Sequence, residues 1–417
     1  MITAKAFAGK HYAVLGLARS GLATVEALLA SGARVTAWDD DTGAREKFSS
    51  EGEESLGACL LRETEWDLSQ FDSIVVTPGL PLNRHPIARR ARDAGVEIIG
   101  DIELFARARA ELPLHKVVGI TGTNGKSTTT ALVHHILQTA GVPSLMGGNI
   151  GLPILSQEPL PEGGVYVLEL SSYQIDLTKT LDCDVAVLLN ITPDHLDRYE
   201  SFEAYAESKL RLLDMQFHGE NSFLGQDADL SSLDLLDEQQ EWPTLQGAHS
   251  RQNAWAAILS CRVLSIGDAS IRKGLRTYPG LPHRMERVAV RDGVLFVNDS
   301  KATNAEAAAP ALAAYPRLRW IVGGQAKGDT LGQTAKHLDQ VVAAYTIGDA
   351  GPMFARLLRE AGVTVVECET LENAVKRAAE DSQTGETVLL SPASASFDQF
   401  RNFEERGDRF RDLVGAL

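Results

Sequence analysis

Lys116-Val-Val-Gly-Ile-Thr-Gly-Thr-Asn-Gly-Lys-Ser-Thr128 is the stretch on which the reading of this chain turns. It opens as an apolar strand, passes through a glycine-rich loop and enters a helical pattern at Lys126. A strand that is apolar throughout belongs in a parallel sheet covered on both faces. Gly122 and Gly125 let the loop turn tightly and aim backbone N–H groups at phosphate oxygens. Lys126 adds a cation for the β- and γ-phosphates, and Ser127 offers a hydroxyl to Mg²⁺. The general phosphate-loop spacing asks for a glycine five residues before Gly125, where Ile120 stands. A plain glycine-rich turn opening a helix is the competing reading.

The same grammar runs outward in both directions. Towards the N-terminus, residues 12–16, 34–38 and 73–77 read as strands and 21–30 as a helix. A charged helix over 101–111 ends before Pro113. Beyond the loop, 165–169 and 185–189 are continuous apolar runs, and the polar, acidic 225–245 reads as a loop. Pro279-Gly-Leu-Pro282 looks like a linker. Further strands follow at 294–297, 320–322, 345–347, 363–366 and 387–390. The expectation is an α/β protein of three domains: a Rossmann-like N-terminal domain (1–112), a P-loop ATP-binding central domain (113–278) and a Rossmann-like C-terminal domain (279–417). A length of 417 residues fits three domains.

The turn after the first strand, Gly16-Leu-Ala-Arg-Ser-Gly21, is followed by Asp39 and Asp40 at the end of the second. That mimics a dinucleotide fingerprint, but Ala18 stands at the middle glycine and Arg19 sits in the turn. NAD, a bland tight turn and another nucleotide-like ligand stay open on these residues.

The net charge is −16, which disfavours non-specific binding to nucleic acid or anionic lipid. Any phosphate must be held by local devices. Cys59, Cys183, Cys261 and Cys368 have neither metal-like spacing nor a disulfide framework and are expected reduced. No signal-peptide core or membrane-length apolar run is present, so a soluble cytoplasmic protein is expected.

Taken in order, several blocks carry a resemblance. They are Gly122-Thr-Asn-Gly-Lys-Ser-Thr128, Leu168-Glu-Leu-Ser-Ser-Tyr-Gln174, Asn190-Ile-Thr-Pro-Asp-His-Leu-Asp197, Leu281-Pro-His-Arg284, Asn298-Asp-Ser-Lys-Ala-Thr-Asn304, Leu390-Ser-Pro-Ala-Ser-Ala-Ser-Phe-Asp-Gln-Phe400 and Phe403-Glu-Glu-Arg-Gly407. With them the chain resembles the Mur ligases, and its last two blocks look like the glutamate-adding type. The resemblance implies ATP-dependent phosphorylation of the carboxylate of UDP-N-acetylmuramoyl-L-alanine. Attack by the amine of D-glutamate on that acyl phosphate would follow, in cytoplasmic peptidoglycan precursor synthesis by a monomer. The three domains would then bind the UDP substrate, ATP with magnesium, and glutamate, and close on one another.

The same resemblance implies the site residues. ATP falls to Gly122, Thr123, Asn124, Gly125, Lys126, Ser127, Thr128, Asn253, Arg284 and Asp299. The UDP substrate falls to Arg19, Ser20, Gly79, Asn149 and His195, and glutamate to Thr303, Lys327, Ser396, Phe397 and Phe403. Lys126, Glu169, His195, Lys209 and Lys301 carry catalysis. Two Mg²⁺ ions are implied, with Ser127, Glu169, His195 and a carbamylated Lys209 as ligands. On residue type alone, Glu169 is equally a buried ion-pair partner, His195 an exposed loop histidine and Lys209 a snorkelling lysine. Lys209 shares an apolar helical face with Phe202, Tyr205 and Leu213, which favours a neutral, CO₂-reactive amine.

Three departures stand out. Ser250 replaces a family asparagine, Asp40-Asp41 replaces Thr-Arg on the UDP side, and 210–248 is shorter than in the family. A folylpolyglutamate-like or L-glutamate-adding ligase, a catalytically weakened nucleotide-binding homologue and an NAD oxidoreductase are the alternatives.

Overall fold

Short runs of Val, Ile and Leu, buried on both faces in the inner strands, build three sheets in a computed structural model. It describes residues 1–417 apart from 57, 195–197, 217–220, 226–232, 327 and the side chains of 50–56. The first sheet is parallel. It holds β1 (His11–Leu15), β2 (Arg34–Trp38), β3 (Cys59–Leu60), β4 (Ser73–Val76) and β5 (Ile98–Ile99) in the order β3-β2-β1-β4-β5. Strand order reverses at β1, so the crevice beyond its C-terminal end is where open sheets of this kind take ligands. The helix Arg19–Ala30 starts there, two residues earlier than its apolar pattern suggests.

The second sheet is also parallel. It holds β6 (His115–Thr121), β7 (Ser144–Gly148), β8 (Gly164–Glu169), β9 (Val185–Leu188) and β10 (Ser222–Leu224) in the order β10-β9-β6-β8-β7. Here the reversal lies at β6, whose C-terminal end opens into the phosphate loop. The third sheet holds β11 (Glu286–Arg291), β12 (Val294–Asn298), β13 (Leu318–Gly323), β14 (Val341–Ile347), β15 (Val365–Glu369) and β16 (Thr387–Leu390). Its order is β11-β12-β16-β13-β14-β15, with only β11 antiparallel. The β11–β12 hairpin turns on Asp292 and Gly293, both at positive φ (49° and 76°), as a two-residue primed turn requires.

The 225–245 stretch differs from its loop reading. Its described part contains a 3-10 helix, Asp234–Glu241, and Leu233, Leu235, Leu236, Trp242 and Leu245 are buried. These apolar residues follow no single helical or strand period, and so the pattern hid them among the acids.

By its internal contacts the chain forms two compact units. One comprises Met1–Ser232 with Gln252–Gly274, the other Leu233–Arg251 with Leu275–Leu417. The first unit therefore contains the first two sheets, which a polar network joins. Glu103, fully buried, accepts from the Lys179 and Thr180 backbone N–H groups (2.7 and 2.9 Å), the Thr180 hydroxyl (2.9 Å) and Arg107 Nε (2.8 Å). Beside it, Glu97 pairs with Arg107 (2.7 Å) and Lys179 (2.9 Å). Among the described residues no helix is long and apolar enough to cross a membrane.

Candidate active site

The loop after β6 depends on its glycines. Gly122 and Gly125 sit at φ 152° and 85°. A Cβ on Gly125 would lie 2.3 Å from Asn253 Oδ1, so glycine is required by both backbone and neighbour. Gly125 is also the N-cap of the helix Lys126–Thr139, so no side chain occupies the cap and the positive end of the helix dipole faces the loop. Ser127 is buried and Thr128 lies in the first helical turn. Lys126 Nζ donates to the Gly122 and Thr123 carbonyls (2.9 and 2.8 Å).

Asn190, at the end of the β9 segment, braces this loop. Its Oδ1 accepts from Asn124 N (2.9 Å), its Nδ2 donates to Asn124 O (3.1 Å), and its carbonyl accepts from Thr123 N (2.9 Å). The Thr123 hydroxyl meets Tyr205 Oη at 3.0 Å. Sequence reasoning quoted Asn190 within a block but gave it no role. Its place immediately after a buried strand, level with the loop, was the available signal.

Lys209 reaches the same loop from the helix Phe202–Asp214, which Ser201 caps. Its side chain is 2% exposed, and Nζ donates to the Gly122 carbonyl at 2.9 Å and lies 4.8 Å from the Tyr205 ring centre. Burial, with the nearby charge of Lys126, pulls its pKa down to about 7. A snorkelling lysine would keep its head in water, and this one does not.

Glu169 ends β8, in register with Ile120 of β6 and Gly148 of β7. It is 2% exposed; Oε1 accepts from Asn149 Nδ2 at 2.8 Å, while Oε2 is buried with no hydrogen-bond partner among the described residues. No lysine or arginine pairs with it among the described residues. A buried carboxylate oxygen of this kind suits a hard cation such as Mg²⁺. No cluster of three His, Cys, Asp or Glu side chains fit for a metal occurs among the described residues. His195 lies outside them.

At the first sheet's crevice, Gly16 (φ 102°) and Gly21 are both obligatory. A Cβ on Gly21 would lie 1.9 Å from Gly16 O. Asp39 is consumed inside this turn: Oδ2 accepts from Leu17 N (2.6 Å) and Oδ1 from Asp41 N (2.8 Å). Asp40 takes the Trp38 Nε1–H at 3.1 Å. Neither acid is poised as a dinucleotide fingerprint would use it. A cation that sequence reasoning missed stands here. Arg45 Nη1 donates to the Asp39 and Asp40 carbonyls (2.6 and 2.9 Å), and its guanidinium lies 4.4 Å from the Trp38 ring centre. Arg19 donates to Gly151 O (3.2 Å), Ser20 O accepts from Thr24 (2.8 Å), and Gly79 O accepts from Arg198 (3.1 Å).

The second unit holds the remaining residues at the C-terminal edge of its sheet. Asp299 is buried; it accepts from the Ser391 hydroxyl (2.7 Å) and Met285 N (3.1 Å), and burial pushes its pKa up to about 7. Lys301 Nζ lies 3.8 Å from the Phe403 ring centre. Arg284 follows His283, which is held at φ 61° by contacts with Asn298 and Glu286. Thr303 precedes the Asn304 cap of the helix Ala305–Ala314, and Ser396 is 2% exposed while Phe397 is 67% exposed. Lys327 lies outside the described residues.

Comparison with known proteins bears directly on this geometry. Residues 10–100 match the Mur ligase MurD-like N-terminal domain, 120–256 the Mur ligase middle domain and 283–394 the Mur ligase glutamate ligase domain. The chain belongs to the Mur ligase family. This Mur ligase is 57% identical to the UDP-N-acetylmuramoylalanine--D-glutamate ligase of Novosphingobium aromaticivorans, over 100% of this chain and 97% of that one. It is 53% identical to the protein of the same name from Zymomonas mobilis, over 100% of both chains. Among solved structures, MurF ligase from Thermotoga maritima in complex with ADP superposes with a TM-score of 0.59 at 17% identity, covering 98% of this chain and 96% of that one. MurC from the same organism gives 0.57 at 17% identity, covering 98% and 99%. These establish the shared fold.

Proposed function

We propose that the chain ligates D-glutamate to UDP-N-acetylmuramoyl-L-alanine at the expense of ATP, as a cytoplasmic monomer in peptidoglycan precursor synthesis. Full-length relatives above 50% identity carry that activity in their names. The observation that carries the reading is the meeting of Lys126 and Lys209 on the Gly122 carbonyl. The three domains divide as 1–112 for the UDP substrate, 113–278 for ATP and 279–417 for glutamate.

In this reading the helix dipole at Gly125 and Lys126 hold the β- and γ-phosphates in place of water, and Asn253 packs on the adenine side. Asn190 keeps the loop rigid, so little reorganisation is needed as charge moves. Lys209, about half neutral at pH 7, takes up CO₂ through its neutral amine nitrogen and releases a proton, which leaves an anionic oxygen donor. Ser127, Glu169, His195 and that carbamate would hold two Mg²⁺ ions, which would neutralise phosphate charge. Arg284 and Asp299 are assigned to the nucleotide by the family resemblance. Arg19, Ser20, Gly79 and Asn149 take the UDP sugar, and Arg45 supplies the cation missing at Asp41. Lys301, Thr303, Lys327, Ser396, Phe397 and Phe403 orient glutamate so that its amine attacks the acyl phosphate. The amine then loses its proton and phosphate departs.

The test is ADP release with UDP-N-acetylmuramoyl-L-alanine and D-glutamate, L-glutamate or no amino acid. Stimulation by D-glutamate alone is expected. Stimulation by L-glutamate alone would move the chain to the L-adding reading, and no stimulation by either would leave a weakened homologue.

A further inference from the structure

Arg406, in the helix Phe403–Ala416, is 1% exposed. Its Nε donates to Ser300 Oγ (2.9 Å), Nη2 to Ser300 O (2.8 Å) and Ser394 O (3.1 Å), and Nη1 to Ala395 O (3.2 Å). None of these acceptors is a carboxylate. A buried cation hydrogen-bonded to carbonyls and a hydroxyl, with Asp299 and Asp398 favouring its charge only through space, is costly, so its placement calls for a reason. Ser300 immediately precedes Lys301, and Ala395 immediately precedes Ser396. A third turn joins the same knot. Gln325 and Ala395 exchange both backbone hydrogen bonds (2.9 Å each), and a Cβ on Gly324 would lie 2.3 Å from Ala395 O and 3.1 Å from Arg406 Nη1. Those three turns leave the ends of the neighbouring strands β12, β16 and β13. One guanidinium therefore fixes the spacing between the segments that carry Lys301 and Ser396.

We propose that Arg406 is the positioning residue of the glutamate side. It clamps the Ser300 and Ser394–Ala395 turns and so sets the spacing of Lys301 and Ser396 for an amino-acid dicarboxylate, with Asp299 and Asp398 as the carboxylates that favour its own charge through space. This rests on the glutamate reading given above. Lysine offers three donors from a point, in place of a planar fork, and cannot hold all four bonds.

The experiment is steady-state kinetics on the full chain with Arg406→Lys and Ser300→Ala, each substrate varied in turn, beside thermal melts. Arg406→Lys should raise KM for D-glutamate about tenfold or more, with KM for ATP and for the UDP substrate within twofold of the parent. Ser300→Ala, which removes one acceptor, should raise the glutamate KM about threefold. It decides alone if Arg406→Lys does not fold. An unchanged glutamate KM, or an equal rise in all three KM values, overturns the proposal, as does a lower melting temperature with unaltered KM. If the parent enzyme shows no glutamate-stimulated ADP release, the functional reading fails instead.

Discussion

Burial does to Lys209 what a base would do in solution: it takes the proton off near neutral pH. As pH falls below 7 the protonated fraction grows and the neutral amine that captures CO₂ becomes scarce. Enzyme held at pH 6 without bicarbonate should therefore lose activity, and bicarbonate at pH 8 should restore it. Lys209→Ala should lower kcat on the order of 100- to 1,000-fold, with partial recovery on adding acetate as a stand-in anion. Intact turnover that acetate does not alter would remove the carbamate from the mechanism. Gly125→Ala, forced against Asn253 Oδ1 at φ 85°, should weaken ATP binding in a direct titration while leaving UDP binding intact. Lys209 and Glu169 were legible because an ionisable residue in an apolar pattern announces itself. Arg45, Asn190 and Arg406 were not, since their roles come from partners distant in the chain or from carbonyls, which no residue pattern encodes.

Among elements, the strands that pattern reading supplied are mostly the inner ones. Cys59–Leu60, Ile98–Ile99, Ser144–Gly148, Ser222–Leu224 and Glu286–Arg291 escaped it, and all five are edge strands. Inner strands of a covered parallel sheet are apolar on both faces, whereas an edge is short or mixed and resembles loop. The Asp292-Gly293 turn was the signal that could have revealed β11. The network on Glu97 and Glu103 was equally silent, and its consequence is measurable. Hydrogen bonding from Arg107 holds the Glu97 carboxyl down at about 2. Its contribution to stability is therefore complete above pH 4.5 and is lost as pH falls towards 2. Glu97→Gln should flatten that acid limb in urea titrations run at a series of pH values. Glu103→Ala, which strands two backbone donors and Arg107, should cost about 2–4 kcal/mol in the same assay.

For the molecule as a whole, a net charge of −16 confronts three anionic substrates. At low salt the global field repels them, and the lysines and arginines of the site act only at short range. Raising salt from about 10 to about 150 mM shrinks the Debye length from roughly 30 to 8 Å. KM for the UDP substrate should then fall or hold steady. A steep rise would show that local cations dominate at long range. The buried carboxylate of Glu103, reaching from the helix Asp101–Ala108 to the amides of Lys179 and Thr180, bears on how such an enzyme can be cut and recombined. A fragment ending at 112 would keep Arg107 but strip Glu103 of its donors from Lys179 and Thr180, and one starting at 113 would carry those donors without their acceptor. Chimeras that exchange the first sheet among relatives must import both halves of that joint, so the first two sheets travel as a single cassette.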